Sequence, residues 1–247
     1  MKIQAIPVEF KEVEAMRELY RQEQNCQIIH DSALSRKLAD AYLILVEGKI
    51  AGYGGVWNRY EVGRAMEFYL FPPYKRGASP IFREFLQASS ATPMEAQTNC
   101  PLLLMLLFEF AKNIAAENIL FQDSKVTNLV CPNGVFRQST NDEKSTIFEH
   151  HSEPVGDWIV ESAGKIVASG GFLCHYNPPY GDIYMEVQEE SRRQGIGSYL
   201  VQELKTACYE AGKKPSARCN SDNVASRKTL MRAGFEPCAR LLTGEIA

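Results

Sequence analysis

The sequence predicts an α/β fold that is duplicated within the chain, with strands and helices in the same order in each half. The segment "GKIAGYGGVWNRY" (48 to 60) aligns without a gap with "GKIVASGGFLCHY" (164 to 176), and internal similarity of this kind indicates a repeated structural unit. Hydrophobic residues make up 45% of the 247 residues, which is enough to build a core in each half.

The repeat extends beyond this first match. Three further pairs of segments follow in the same order: "AMEF" (65 to 68) with "YMEV" (184 to 187), "RGAS" (76 to 79) with "QGIG" (194 to 197), and "EAQTN" (95 to 99) with "SARCN" (216 to 220). A series of matches in one order points to duplication rather than to chance. We therefore expect two domains of one fold, residues 1–122 and residues 123–247.

The second half shows the order of its elements. Two β-rich runs, "DWIVES" and "KIVASGGFLCHY", are separated by Ala163 and Gly164, which suits a hairpin. Residues 182 to 187 alternate apolar and polar side chains and predict a third strand. From Ile196 the apolar residues recur at helical spacing up to Gly212, a residue type that commonly follows a helix C-terminus.

A second strand and helix follow in this half. "PSARCN" (215 to 220) predicts a strand, and Asp222 or Asn223 can cap a helix through "VASRKTLMRAG" that ends at Gly234. The predicted order is therefore strand, strand, strand, helix, strand, helix, strand.

The composition excludes several classes of protein. The formal net charge is −3, and neither half has the excess of basic residues that nucleic-acid binding requires. The longest apolar run, 102 to 108, is too short to span a bilayer, and the first residues lack the apolar core of a signal peptide. We expect a cytoplasmic protein that binds neither nucleic acid nor membrane.

The cysteine and histidine residues do not predict a metal site. The seven cysteines are an odd number and contain no C-x-x-C pair, so neither a disulfide framework nor a zinc knuckle is expected. The adjacent pairs Cys174-His175 and His150-His151 match no usual ligand spacing. We expect no metal.

The segment "SRRQGIGSYLVQELK" (191 to 205) places glycines where a strand passes into a helix. The unpaired N–H groups of a first helical turn bind anionic oxygens, and small residues let a ligand approach the main chain. Arg192 and Arg193 add positive charge, so the segment predicts a site for pyrophosphate. A dinucleotide-binding loop would have a third glycine where this chain has Leu200, and the Gly-Lys-Ser/Thr of a P-loop is absent.

The spacing R-x-x-G-x-G, here Arg192, Gly195 and Gly197, resembles the coenzyme A loop of the GNAT superfamily of N-acetyltransferases. "NSDNVASRKTLMRAGF" (220 to 235) resembles the second part of the family pattern, an Asn and small residues that open the next helix. The resemblance covers residues 130 to 247, and the repeat extends the fold to the first half. It implies two tandem GNAT-like domains, each with a mixed, mostly antiparallel sheet flanked by helices.

The resemblance also implies how a donor, acetyl-CoA, would bind. The pantetheine arm would lie between the strands 182 to 187 and 215 to 220 and would pair with the main chain of the first. Small side chains and backbone groups of the loop and of the next helix would complete the site. The candidate cofactor-binding residues are Met185, Val187, Arg192, Arg193, Gln194, Gly195, Ile196, Gly197, Ser198, Asn223 and Ser226.

The reaction that the resemblance implies is direct acetyl transfer to a primary amine of a small molecule or a protein. The amine must lose a proton, and Glu186, on the polar face of its strand, is the candidate general base; the alternative is a structural carboxylate, like its equivalent Glu67. Leu230 occupies the position where the family often has a tyrosine that protonates the thiolate. Candidates for that step are Tyr184, Ser226, Cys219 and water.

The first half is expected to be degenerate. It adds a helix at about 9 to 24 and a second near 32 to 39 before its strands. Its loop keeps Gly77 but has Ser79 in place of the second glycine, and the Asn-x-Ala-Ser pattern is absent. We expect a supporting domain that helps to form the acceptor site. The alternative function for the whole chain is a non-catalytic acyl-CoA-binding regulatory protein, and the sequence does not indicate the oligomeric state.

Overall fold

The computed structural model describes residues 2–27, 32–151, 153–175 and 177–247. The chain divides into two compact units, which we call unit 1 (Met1–Asn118 with Ala239–Ala247) and unit 2 (Ile119–Cys238). This division differs from the predicted boundary after residue 122, since unit 2 begins four residues earlier and the C-terminal residues belong to unit 1.

The described residues form twelve strands and five α-helices. In order they are β1 (Ile3–Val8), α1 (Phe10–Gln22), β2 (Ala39–Val46), β3 (Lys49–Trp57), β4 (Ala65–Leu70), α2 (Ala78–Ser89), β5 (Pro93–Gln97), α3 (Pro101–Phe110), β6 (Ala111–Asp123), β7 (Gly134–Gln138), β8 (Trp158–Ser162), β9 (Lys165–Leu173), β10 (Tyr180–Val187), α4 (Ile196–Glu210), β11 (Lys214–Asn220), α5 (Val224–Arg232) and β12 (Phe235–Ile246).

The succession of elements confirms the duplicated fold. Strands β2, β3 and β4, helix α2, strand β5, helix α3 and strand β6 follow one another in the first half, and β8, β9, β10, α4, β11, α5 and β12 repeat that order. None of the five α-helices in the described part of the chain has the length and apolar character needed to span a bilayer.

Unit 1 contains a mostly antiparallel sheet. Strands β1 to β4 pair antiparallel in sequence order, whereas β4 and β5 are parallel and share only the pair Ala65 and Met94. The C-terminal part of β12 pairs antiparallel with β5, and Leu241 lies opposite Gln97. Residues at the C-terminus therefore complete a sheet whose other strands precede them by more than a hundred residues.

Helix α1 forms as the sequence predicts. Val13, Met16, Arg17 and Tyr20 follow the spacing of one helical face and are all buried. The prediction of a second helix near residues 32 to 39 is wrong, because these residues form turns and the chain enters β2 at Ala39. The described residues make a single helical turn there, with hydrogen bonds from Arg36 N–H to Ser32 O and from Lys37 N–H to Leu34 O. A left-handed φ of 56° at Lys37 ends the turn.

Unit 2 has a mixed sheet. Strand β6 is followed across the sheet by β11, β10, β9, β8 and β7, and only β10 and β11 are parallel among the pairs from β11 to β7. The predicted hairpin between β8 and β9 turns at Ala163 and Gly164, with φ of 49° and 73°. Helix α4 ends before Gly212, whose φ is 70°, as predicted.

The two faces of β10 differ in their surroundings. Ile183 belongs to the unit 2 core, against which Met185 and Val187 pack, and the same core contains residues of α4. Alternation along a strand places Asp182, Tyr184 and Glu186 on the opposite face. The polar face of β10 is therefore the one turned away from α4.

Glu67 of β4 forms a buried ion pair in unit 1. Arg17 donates from Nε and Nη2 to its two carboxylate oxygens at 2.9 and 2.6 Å, and the Tyr53 hydroxyl donates to it at 3.0 Å. The side chains of Arg17 and Glu67 are 3% and 1% exposed. The pair joins α1 to the sheet without access to solvent.

The substitution Glu67→Gln should destabilise the protein strongly. It removes the negative charge of a carboxylate that accepts two hydrogen bonds from the buried Arg17, and breaking a buried ion pair costs about 3 kcal/mol or more. Glu23→Gln, at the exposed pair with Lys75, is the matched control and should cost about 1 kcal/mol or less. Denaturant unfolding of both variants measures the difference, and equal free energies of unfolding would contradict the structural role of Glu67.

Candidate functional site

Strands β10 and β11 separate part of the way along their length. They pair from Tyr180 with Lys214 to Ile183 with Ala217, and the described register stops there although β10 continues to Val187. Strand β9 pairs with β10 along this whole stretch, so only the edge that faces β11 is released. Backbone groups on that edge can pair with an extended ligand.

The loop after β10 leads the chain into α4. Gly195 precedes the helix with φ of 84°, a left-handed conformation that favours glycine, and no side chain caps the helix. The first helical hydrogen bond runs from Tyr199 N–H to Gly195 O. In the described structure the N–H groups of residues 196 to 198 have no such partner, so they are available to an anion.

The first turn of α4 leaves little room for a side chain at Gly197. A Cβ atom at Gly197 would lie 3.3 Å from the side chains of Met185, Val187 and Thr229. The turn therefore packs directly on the two β10 residues that the sequence predicts at the donor site. Glycine at this position therefore lets the first turn of α4 pack closely on β10 and α5.

Three arginines surround this turn. Arg192 donates from Nε to the Val187 carbonyl at 3.0 Å, and its guanidinium is 46% exposed. Arg193 is exposed. The guanidinium of Arg232, from the last turn of α5, would lie 3.6 Å from a Cβ at Gly195, a contact that no sequence motif predicts. The positive charge complements the helix N-terminus as an anion site.

Other predicted donor-site residues hold the local structure. Ser198 donates its hydroxyl to the Thr229 carbonyl at 3.2 Å, and Gln194 donates from its amide to the Glu190 carbonyl at 3.3 Å. Asn223 is the N-cap of α5 and accepts from Ser226 N–H at 2.9 Å. The cap is the one that the sequence allowed at Asp222 or Asn223.

Glu186 lies on the separated part of β10, and its side chain is 10% exposed. Both carboxylate oxygens accept from the backbone N–H of His151 at 3.1 Å. The Arg192 guanidinium lies 3.8 Å from Oε1, and His150 Nδ1 lies 3.8 Å from Oε2. The carboxylate is thus held in one orientation beside the gap between the strands.

The residues considered for protonating the leaving thiolate lie in different parts of unit 2. Leu230 is buried in the unit 2 core. Tyr184 is half-buried; burial and the charges of Asp157 and Glu153 raise its pKa, and its hydroxyl lies 2.8 Å from the position of a Cβ at Gly171 on β9. The Tyr184 hydroxyl is therefore over β9, on the side of β10 away from β11.

Two further candidates lie on the other side of the gap. Cys219 is buried on the part of β11 that no longer pairs with β10. Ser226 lies in the first turn of α5, where its N–H is used by the cap. Neither position is selected over the other by the contacts of the described residues.

The segment that precedes β8 contributes groups that the sequence did not assign to this site. His150 stacks on Phe148 with ring centroids 5.0 Å apart, and its Nδ1 lies 3.2 Å from the Glu153 carbonyl oxygen. His150 and His151 are separated from Glu186 by about 35 residues, so no local pattern could place them there.

The corresponding positions of unit 1 are filled by its own side chains. Ser79, in the first turn of α2, donates its hydroxyl to the Glu109 carboxylate of α3 at 2.6 Å, so an anion already lies there. A cavity of about 590 Å³ lies beside β4 and α3. Its two charged groups, Glu23 and Lys75, pair with each other at 3.0 Å.

Two models of one protein family match this chain. The acetyltransferase (GNAT) family model matches residues 120–235, and a second acetyltransferase (GNAT) domain model matches residues 9–124. Comparison with curated proteins gave no match.

Several solved structures share the fold. An acetyltransferase from the GNAT family of Colwellia psychrerythraea is 17% identical with a TM-score of 0.81, and all of both chains is covered. A tandem GNAT protein from the clavulanic acid biosynthesis pathway is 11% identical with a TM-score of 0.63, over 99% of this chain and 98% of that one. A GCN5-related N-acetyltransferase from Sphaerobacter thermophilus is 13% identical with a TM-score of 0.58, over 98% and 95%.

The two family models together account for nearly the whole chain, and each corresponds to one copy of the repeated order of elements. This chain therefore belongs to the GNAT family of acyl-CoA-dependent acetyltransferases and contains two GNAT domains in tandem.

Proposed function

We propose that this protein transfers an acetyl group from acetyl-CoA to a primary amine, and that unit 2 carries out the transfer. The observation that carries the proposal is the separation of β10 and β11 after Ile183 and Ala217, with Glu186 beside the gap. Family membership supports an acyl-CoA donor; the acetyl group, the amine acceptor and the assignment of residues belong to the proposal.

In the proposed complex the first turn of α4 binds the pyrophosphate. The N–H groups of Ile196, Gly197 and Ser198 supply hydrogen bonds, and Arg192, Arg193 and Arg232 supply positive charge. The pantetheine arm lies in the gap and pairs with the free edge of β10 at Met185 and Val187. The Val187 carbonyl now accepts from Arg192, so this arginine changes partner when the arm binds.

Transfer proceeds without a covalent intermediate on the protein. The amine nitrogen forms a bond to the thioester carbon, the carbon–sulfur bond breaks, and the electron pair leaves with the coenzyme A thiolate. Glu186 accepts the proton that the amine loses, directly or through a water. The thiolate then takes a proton from solvent water or from one of the candidate side chains, Tyr184, Ser226 or Cys219. The alternative, a non-catalytic acyl-CoA-binding protein, keeps the donor site without this chemistry.

The substitution Gly197→Asp should abolish acetyl-CoA binding. Its side chain enters the space between Met185, Val187 and Thr229, and its charge repels the phosphates at the helix N-terminus. Gly77→Asp makes the same charge change in the corresponding loop of unit 1, where nothing lies within 4 Å, and it should bind normally. Titration calorimetry measures both affinities, and normal binding by Gly197→Asp would overturn the phosphate site.

The substitution Glu186→Gln should slow turnover by about 100-fold or more with little change in the affinity for acetyl-CoA. The amide keeps the shape and still accepts from His151 N–H, but it is not a base. Glu189→Gln, an exposed carboxylate after the same strand, is the control and should retain full activity. Release of free thiol in the presence of amines measures the rate. If the Glu186→Gln variant is as fast as the parent protein, Glu186 is not the general base and its role is structural.

Each chain should bind one equivalent of acetyl-CoA. Unit 2 provides unpaired N–H groups and three arginines, whereas the first turn of α2 in unit 1 is adjacent to the Glu109 carboxylate, which opposes a second anion. Calorimetric titration of the full chain should saturate at a ratio of one. A ratio of two, with one site surviving in Gly197→Asp, would show that unit 1 also binds the donor.

A further inference from the structure

Two cysteines of unit 2, Cys174 and Cys208, lie near the same residue of β10, Gly181. Cys208 lies on α4 and is buried, whereas Cys174 directly follows β9 and is exposed. Both are free thiols, and neither takes part in the proposed acetyl transfer. A buried thiol beside an exposed one is an arrangement in which one sulfur meets an oxidant and the second sulfur forms a disulfide with it.

The sulfur of Cys208 contacts the sheet at Gly181. A Cβ atom at Gly181 would lie 2.7 Å from Cys208 Sγ, closer than real Cβ atoms come to a neighbouring atom. The same position would lie 3.4 Å from a ring carbon of Phe172 on β9 and 3.6 Å from the Cβ of Lys213. Because Gly181 has no side chain, the Cys208 sulfur reaches the main chain of β10 on the face of the sheet that α4 covers.

The pairing of β9 with β10 brings Cys174 to the same place. Leu173 pairs with Asp182, so the next residue on each strand, Cys174 and Gly181, come beside each other. Cross-strand neighbours have Cβ positions about 5 Å apart on one face of the sheet. Phe172 lies on the α4 face, and alternation along the strand places Cys174, two residues later, on that face too. Both sulfurs therefore border the space that Gly181 leaves open.

The electrostatic coupling of the two thiols agrees with this placement. Burial, followed by the charge of Cys174, raises the pKa of Cys208 to about 12, and Lys213 opposes the shift. Cys208 therefore stays protonated at neutral pH and is shielded from solvent. The exposed Cys174 is the sulfur that meets a dissolved oxidant first, and Cys208 reacts only with a sulfur beside it.

We propose that Cys174 and Cys208 are a redox-sensitive pair, which hydrogen peroxide converts into a disulfide between the end of β9 and α4. The Cys174 thiolate attacks one peroxide oxygen and the O–O bond breaks, which leaves a sulfenic acid on Cys174 and releases hydroxide. Cys208 loses its proton and attacks the Cys174 sulfur, so that an S–S bond replaces the S–O bond and the oxygen leaves as water. The two thiols lose two electrons, and the peroxide is reduced to water.

This disulfide should stabilise the protein without altering the proposed donor site. It joins residues that are 34 positions apart in the sequence, and such a link lowers the entropy of the unfolded chain. Cys208 lies twelve residues after Ile196 on α4, which is about 18 Å along the helix. The first turn of α4 is therefore outside the reach of the bond, and the proposal does not depend on acetyl transfer.

Mass spectrometry of the full chain, treated with a small molar excess of hydrogen peroxide, tests the proposal. The mass should fall by about 2 Da, the loss of two hydrogens, and the free thiols counted after unfolding should fall from seven to five. Peptide mapping without reductant should join the peptides of Cys174 and Cys208, and dithiothreitol should restore both thiols. The oxidised protein should melt about 5 °C or more above the reduced protein.

Three variants distinguish this pair from general oxidation of thiols. Cys174→Ser, at an exposed position that should not disturb folding, should lose both the disulfide and the rise in melting temperature. Cys208→Ser should retain the sulfenic acid on Cys174, which dimedone labels. The control is Cys131→Ser, at a partly exposed cysteine before β7, which should still form the disulfide. No loss of thiols in the parent protein, a disulfide between other cysteines, or a link between two chains would overturn the proposal.

Discussion

The candidate site depends on the point where β10 and β11 stop pairing, after Ile183 and Ala217. In a continuous parallel ladder the backbone groups on this edge of β10 would be used by β11. Because the strands separate while β9 still holds β10 in place, the free edge is rigid as well as open. Helix α4 begins shortly after the same strand, so its unpaired N–H groups lie near the end of that edge. One interruption in strand pairing thereby supplies both a slot for an extended ligand and an anion site.

The duplicated units show what this arrangement requires, because they share the order of elements and differ in their charged contacts. Glu67 and Glu186 occupy equivalent strands, but Arg17 and Tyr53 engage Glu67 in the core of unit 1. Glu186 instead accepts from a backbone N–H and has its nearest arginine at 3.8 Å. Both carboxylate oxygens of Glu67 are therefore occupied by side chains of unit 1. In unit 1 the carboxylate at this position thus contacts other side chains of the protein rather than a ligand.

Much of the fold was predictable because its signals are local. The hairpin at Ala163 and Gly164, the left-handed Gly195 and the stripe of α4 each depend on a few neighbouring residues. The prediction of a helix at residues 32 to 39 is wrong because the helical turn there ends at Lys37. Lysine is not a residue type that signals the end of a helix in a sequence. The C-terminal part of β12 belongs to unit 1, and His151 lies next to Glu186. Both arrangements depend on contacts between residues that are distant in the sequence. No periodic pattern encodes such contacts.

The two sides of the site were unequally predictable for a physical reason. The donor side uses main-chain groups at a strand edge and a helix N-terminus, which any chain of this fold provides once the glycines are in place. The proposed acceptor side adjoins the segment before β8, where His150 and His151 lie next to Glu186 but in neither a strand nor an α-helix. Such segments change in sequence without disturbing the core. The fold therefore carries information about the proposed donor, whereas recognition of the proposed amine depends on the side chains that this segment brings next to Glu186 of β10.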